Sequence, residues 1–189
     1  MARFRTLLAG PRSGLPGAGG PAGGEDMVWT MPSGDRNEAV TMRPIGWVRS
    51  PYREASEIPK GLGAEHRAEG EIEIRPELEA GLTDIEGFSH LFVIWVFHKS
   101  TEVRLFGVPP TDDRPHGVFA TRSPRRPNPI GLTVVELLGR EGNRLRVRGL
   151  DMLDGSPVLD IKPYLSSVPA EKLRRGWLDE AEARRGGKS

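Results

Sequence analysis

Four stretches of this chain hold residues whose types and spacing are suited to chemistry. In TRSPRRPNPIGLT, residues 121–133, Pro124, Pro127 and Pro129 are interleaved with Arg122, Arg125 and Arg126 around Asn128. Proline fixes φ, removes a donor and pushes the preceding residue toward extended backbone. The stretch is therefore a stiff, non-helical, cationic strap. Arginine forks match phosphate geometry, so the strap suits a cradle for an anion or nucleotide. The competing reading is a proline-rich connection between strands, its arginines merely solvated.

The second stretch, LDMLDGSPVLDIKPY (150–164), sets Asp151, Asp154, Asp160 and Lys162 around an Asp154-Gly155 pair. Asp-Gly is a strong turn signal, so Asp154 is open to a purely structural role. Asp160 and Lys162 share a strand face by period two, which allows a structural ion pair. The cluster also suits ribose hydroxyls or a cationic group. Third is His98, where the most hydrophobic run of the chain ends, followed by Lys99. A histidine there is either a hydrogen-bonded edge residue or a proton acceptor. His66, His90 and His116 have no HxH or HExxH spacing, so no histidine metal site is expected. The fourth, IPKGLGAEH (58–66), is a glycine-containing loop outside any βαβ pattern, and the dinucleotide fingerprint fails.

Short strands must position these groups. GEIEI alternates Ile72 and Ile74 against glutamates, and RLRVRGL sets Leu145 and Val147 opposite Arg144, Arg146 and Arg148. HLFVIWVFH (90–98) is continuously apolar, as for a strand buried on both faces. GVFAT (117–121), IGLTVVELLG (130–139) and SPVLDIKPY (156–164) complete the series. With turn residues between the strands and no interleaved helices, the expected fold is all-β, a small antiparallel barrel or a sandwich. A short C-terminal helix is expected from Leu173, Trp177 and Ala181, repeating every four residues. Residues 1–41 are rich in glycine and proline and read as a disordered tail. Ordered sequence begins at Met42, a candidate start of the folded unit. The expected division is thus tail 1–41, barrel 42–168, and helix with its end 169–189.

Composition bounds the functions. The 189 residues carry a formal net charge of +1, so a nucleic-acid site has to be a local patch. There is no cysteine, which removes disulfides, thiolate catalysis and cysteine-based zinc, and suits a cytoplasmic protein. The longest apolar run, Leu91–Phe97, is too short to span a bilayer.

In order and approximate spacing, IGWVRSPY (45–52), GFSHLFVIWVFH (87–98), GVFATRSPRRPNPIG (117–131) and LDMLDGSPVLDIKPY resemble the TsaA-like, or TrmO, family over about residues 43–166. These are tRNA N6-methyltransferases acting on threonylcarbamoyladenosine beside the anticodon. The resemblance implies a barrel working as a homodimer, with S-adenosylmethionine in a cleft near the dimer interface. It places cofactor contacts at Leu62, Gly63, Ala64, His98, Lys99, Arg122, Leu132 and Asp151, Met152, Leu153 and Asp154. Arg125, Arg126 and Asn128 are expected to meet the anticodon loop, and no metal is required. Asp154, Asp160 and His98 are the candidates for the base that removes the N6 proton, with no order among them.

Two departures stand out. Family members often have glutamine after the strand-end histidine, where this chain has Lys99. A cation beside a sulfonium is unfavourable, so Lys99 is expected to contribute through its backbone. Longer members carry a further C-terminal domain, whose RNA contacts would here be absent or supplied by the partner subunit. Two rivals stay open: a non-catalytic RNA-binding barrel, and a methyltransferase acting on another nucleoside or a small molecule.

Overall fold

The computed structural model describes residues 29–32, 39–60, 65–165, 169, 172 and 175–186. In chain order its strands are β1 (Trp29–Pro32), β2 (Ala39–Met42), β3 (Gly46–Arg49), β4 (Glu69–Ile74), β5 (His90–Val96), β6 (Phe106–Gly107), β7 (His116–Gly117), β8 (Ile130–Glu141), β9 (Arg144–Arg148) and β10 (Pro157–Pro163). Among the described residues one α-helix, α1, spans Trp177–Gly186. Six strands close into a barrel in the order β10-β3-β4-β9-β8-β5, with every pairing antiparallel. Two small pairs, β1-β2 and β6-β7, lie outside it.

Period-two alternation produces the core. Val48, Ile72, Ile74, Leu91, Val93, Trp95, Val135, Leu145, Val147 and Val158 are all buried. Full burial of such a side chain contributes roughly 1.5–3 kcal/mol. The register sets Glu69, Glu71 and Glu73 of β4 opposite Arg148, Arg146 and Arg144 of β9. These opposed charges favour this register over a one-residue slip, which would turn Ile72 and Ile74 out to water.

Four expectations change. β5 is not buried on both faces: Leu91, Val93 and Trp95 point into the core, while Phe92 and Ile94 are half-covered on the outside. Tyr164 packs on Phe92 with ring centroids 5.0 Å apart, which explains the outward apolar residue. GVFAT is only partly strand, because β7 ends at Gly117 and Val118–Ala120 form a 3-10 turn. A further 3-10 stretch at Pro76–Leu82, begun by a proline at its first position, interrupts what reads as strands alone. Within the expected tail, β1 pairs with β2, Trp29 opposite Met42, so those residues form a hairpin; residues 1–28 lie outside the described set. The C-terminal helix is present from Trp177, and Leu173 lies outside the described residues.

Candidate functional site

Ring closure decides which segments meet. β3 and β5 both run antiparallel to β10, and β8 runs antiparallel to β5. One end of the barrel therefore receives the ends of β3, β5 and β9 and the starts of β4, β8 and β10. That end collects Ser50–Arg53, Glu65–Ala68, Phe97–Lys99, Pro129–Ile130 and Gly149–Ser156. Parts of three of the stretches singled out by residue type, with Glu65 and His66 of the fourth, thus arrive at one end of the barrel, although more than a hundred residues separate Ser50 from Asp154.

The carboxylate turn is locked there. Gly155 takes φ +73°, a conformation open to glycine, and Ser156 N donates to Leu153 O at 3.1 Å. Asp154 N donates to Tyr52 O at 2.8 Å, and Gly155 N to Val48 O at 2.8 Å. The Asp154 carboxylate reaches back: its Oδ1 accepts from Ser50 N at 3.0 Å, and its Oδ2 accepts from the Arg53 guanidinium. Both oxygens are engaged, which makes Asp154 an anchor for the turn.

His98 differs. It is half-buried, and its Nδ1 lies 3.3 Å from the fully buried Ser156 hydroxyl, while its Nε2 has no hydrogen bond among the described residues. Burial, reinforced by the Lys99 charge, lowers its pKa below the ordinary value of 6.5. The imidazole is therefore neutral at neutral pH, as a proton acceptor must be. The Lys99 ammonium donates to Arg53 O at 2.8 Å and lies 3.4 Å from a Glu54 carboxylate oxygen. Asp151 completes the group. Its Oδ1 accepts from the Thr133 hydroxyl at 2.5 Å, and that hydroxyl accepts from Trp95 Nε1 at 3.0 Å. Its second oxygen has no hydrogen bond among the described residues.

The strap is fastened at both ends. Phe97 N donates to Pro129 O at 2.8 Å, and Ser100 Oγ to Pro124 O at 2.9 Å. Gly131 lies flat on Trp95: a Cβ there would sit 2.3 Å from Cε2 of the indole. The Arg122 guanidinium donates to Leu132 O, bringing together two expected cofactor contacts. Arg125 lies 3.5 Å from Glu102, and Arg126 donates to Thr121 O at 3.4 Å. Asn128 is exposed, and its carbonyl accepts from Ile130 N at 2.7 Å.

Residues 47–170 match the family described as the tRNA-methyltransferase O N-terminal domain. The chain belongs to this family. A probable S-adenosyl-L-methionine-binding protein of Archaeoglobus fulgidus is 51% identical over 143 residues, which are 75% of this chain and 39% of that protein. The tRNA (adenine(37)-N6)-methyltransferase of Escherichia coli is 42% identical over 134 residues, 64% of this chain and 56% of that enzyme. A solved crystal structure of TrmO superposes with a TM-score of 0.59 at 38% identity, covering 71% of this chain and 60% of that one. The chain thus spans less than two thirds of the length of each.

Three expected positions sit differently from the rest. Asp160 is opposite Ile94 in the β10–β5 register, inside the end of β5 at Val96, whereas His98 lies in the turn beyond that end. Its carboxylate pairs with Lys162 at 2.6 Å, the structural ion pair that period two allowed. Met152 is fully buried in the core, backbone and side chain alike. Leu132 faces outward on β8 and is exposed. Leu62, Gly63 and Ala64 lie outside the described residues. Sequence reading missed Ser50, Arg53, Thr133 and Ser156. Thr133 did leave a signal, a polar residue at the inward position between Gly131 and Val135. Arg53 left none, because its partner is 101 residues away.

Proposed function

We propose that this chain transfers the methyl group of S-adenosylmethionine to N6 of threonylcarbamoyladenosine at position 37 of tRNA. The observation that carries this reading is the convergence of a neutral His98, a half-satisfied Asp151 and the arginine strap at one barrel end. The donor set suits the methyl donor: the free Asp151 oxygen can face a cationic sulfonium, and the Asp154 anchor fixes the backbone of the turn for polar contacts. His98, Arg122 and Leu132, with the loop that includes Leu62, Gly63 and Ala64, complete the proposed pocket. Lys99 contributes backbone only, since its ammonium is taken up by Arg53 O and Glu54.

S-adenosylmethionine supplies an electrophilic methyl carbon, and in-line displacement at it needs chiefly alignment. The accepting nitrogen is of ureido type, with a delocalised lone pair, and becomes nucleophilic as it loses its proton. His98 takes that proton at Nε2, its Nδ1–H donating to Ser156 Oγ. Asp154, already paired with Arg53, positions the turn. Asp160 has no part in this step.

The proposed assembly is a homodimer. The outer faces of β5, β8 and β10 present Ile94, Leu132, Val134 and Tyr164, of which the last three are exposed. A contiguous apolar patch of this kind marks an interaction surface, and Leu132 links it to the cofactor pocket. The proposed location is the cytoplasm. No helix among the described residues is long and apolar enough to cross a membrane.

Calorimetric titration of the full chain with S-adenosylmethionine tests the reading first. It is followed by methyl transfer to tRNA with and without the threonylcarbamoyl group, and by sedimentation to give the oligomeric state. Absence of binding by folded protein would favour the RNA-binding barrel. Indifference to the threonylcarbamoyl group would favour a different acceptor.

The strap arginines act on RNA in this scheme. Joint replacement Arg125→Ala and Arg126→Ala is expected to weaken tRNA binding and reduce the slope of log affinity against log salt. The reduction is roughly one unit for each phosphate that is no longer neutralised. An unchanged slope would show that both guanidiniums are solvated surface.

A further inference from the structure

We infer that residues 103–119, the excursion between β5 and the strap, form a stacking platform for unpaired bases of the RNA substrate, with Phe106 and Phe119 as the stacking rings. This rests on the tRNA reading and names the surface that would receive the anticodon loop.

Phe106 and Phe119 are 71% and 78% exposed, although both are confined to a small β6–β7 pair and the turn after it. Neither ring belongs to the barrel core, so packing does not account for them. Some of the arginines near them in the chain lack acidic partners. Arg104 and Arg125 share Glu102, but Arg114, Arg122 and Arg126 pair with no carboxylate among the described residues. The platform and the strap are one unit: Arg104 N donates to Arg125 O at 3.0 Å, and Val118 N to Leu105 O at 2.8 Å.

The excursion is also tied down by α1. Arg184 reaches Asp112, whose side chain is 2% exposed, at 2.5 Å, and Arg185 donates to Pro110 O at 2.9 Å. Hydrogen bonds from His116 and then Arg184 keep the Asp112 carboxyl well below its usual range. Trp177 stacks on His116 with centroids 4.1 Å apart and donates from Nε1 to Ala120 O at 2.9 Å, beside Phe119. Rings held open on a fixed support lose little freedom when a base settles on them.

Single-stranded RNA is bound by this combination of aromatic faces for splayed bases and guanidiniums for the backbone between them. A second copy of the chain is a poorer occupant. A two-fold interface sets a patch against itself, so the unpaired arginines of two subunits would be crowded together without counter-charge.

The test uses full-length Phe106→Ala, Phe119→Ala, Phe106→Trp, Phe119→Trp, Phe106→Leu and Phe119→Leu. For each, anisotropy measures affinity for anticodon stem-loop RNA, calorimetry measures S-adenosylmethionine affinity, and steady-state methylation gives kcat and the KM for tRNA. Loss of a stacked base is expected to weaken RNA affinity and raise that KM roughly 5- to 100-fold, with kcat and cofactor affinity unchanged. Trp is expected to restore the wild-type values and Leu to fail, because a leucine offers apolar area without a π-face. Unchanged RNA affinity in the alanine variants, or full rescue by Leu, overturns the platform. A shift in sedimentation with RNA affinity retained overturns it as well, and reassigns the surface to association between copies. Because RNA affinity is read independently of turnover, wild-type protein that binds RNA through these rings without methylating it would fail the enzymatic reading alone.

Discussion

His98→Gln is expected to lower kcat at saturating S-adenosylmethionine and tRNA by roughly 100- to 10,000-fold, the usual contribution of a positioned general base. Glutamine retains polar reach toward Ser156 but cannot accept a proton near neutral pH. The wild-type rate should rise with pH through the His98 titration and level off above it. Burial and then the Lys99 charge lower that pKa, so the limb lies below the ordinary histidine value of 6.5. The limb should vanish in the variant. The same shift links to stability. Between the folded and unfolded pKa values the unfolded chain binds more protons, so the fold gains stability as pH rises through that window and loses it as pH falls. A variant that keeps the wild-type rate and acid limb would remove His98 from the chemistry and turn attention to Asp151.

Asp154→Ala and Asp154→Asn separate two roles of one carboxylate. Alanine removes the acceptor for Ser50 N, on a residue only 6% exposed, and strands the Arg53 guanidinium. An unsatisfied buried donor costs about 1–3 kcal/mol, visible as a lowered Tm. Asparagine keeps an oxygen for Ser50 N and gives up the charge, so the fold should hold. Its affinity for S-adenosylmethionine is expected to stay within a few-fold of wild type, because both carboxylate oxygens are engaged by Ser50 N and Arg53. A loss of roughly 10-fold or more, the scale of one hydrogen bond to a charged group, would mean that the carboxylate acts on the cofactor directly. Calorimetry on the asparagine variant decides the matter. Wild-type affinity there would make Asp154 a scaffold for the turn and no more.

Local pattern determined much of this protein. Side-chain alternation is a property of neighbours, so Ile72 with Ile74 and Leu145 with Val147 announced strands and an inward face before any partner was known. The Asp154-Gly155 turn and the stiff strap were equally local, since φ preferences act within a few residues. The family motifs were legible for the same reason, being contiguous. Tertiary structure decided the rest. Closure of an antiparallel ring chooses which strand ends share a rim, and no segment carries that information alone. It brought His98 to Ser156, joined Arg53 to Asp154 and lined Thr133 up with Asp151. It also left Asp160 down the strand with Lys162, although Asp160 lies only six residues from Asp154. The clamp of α1 on Asp112 is of the same kind: Arg184 is 72 residues from its partner, and only the folded path of the chain brings the two charges together.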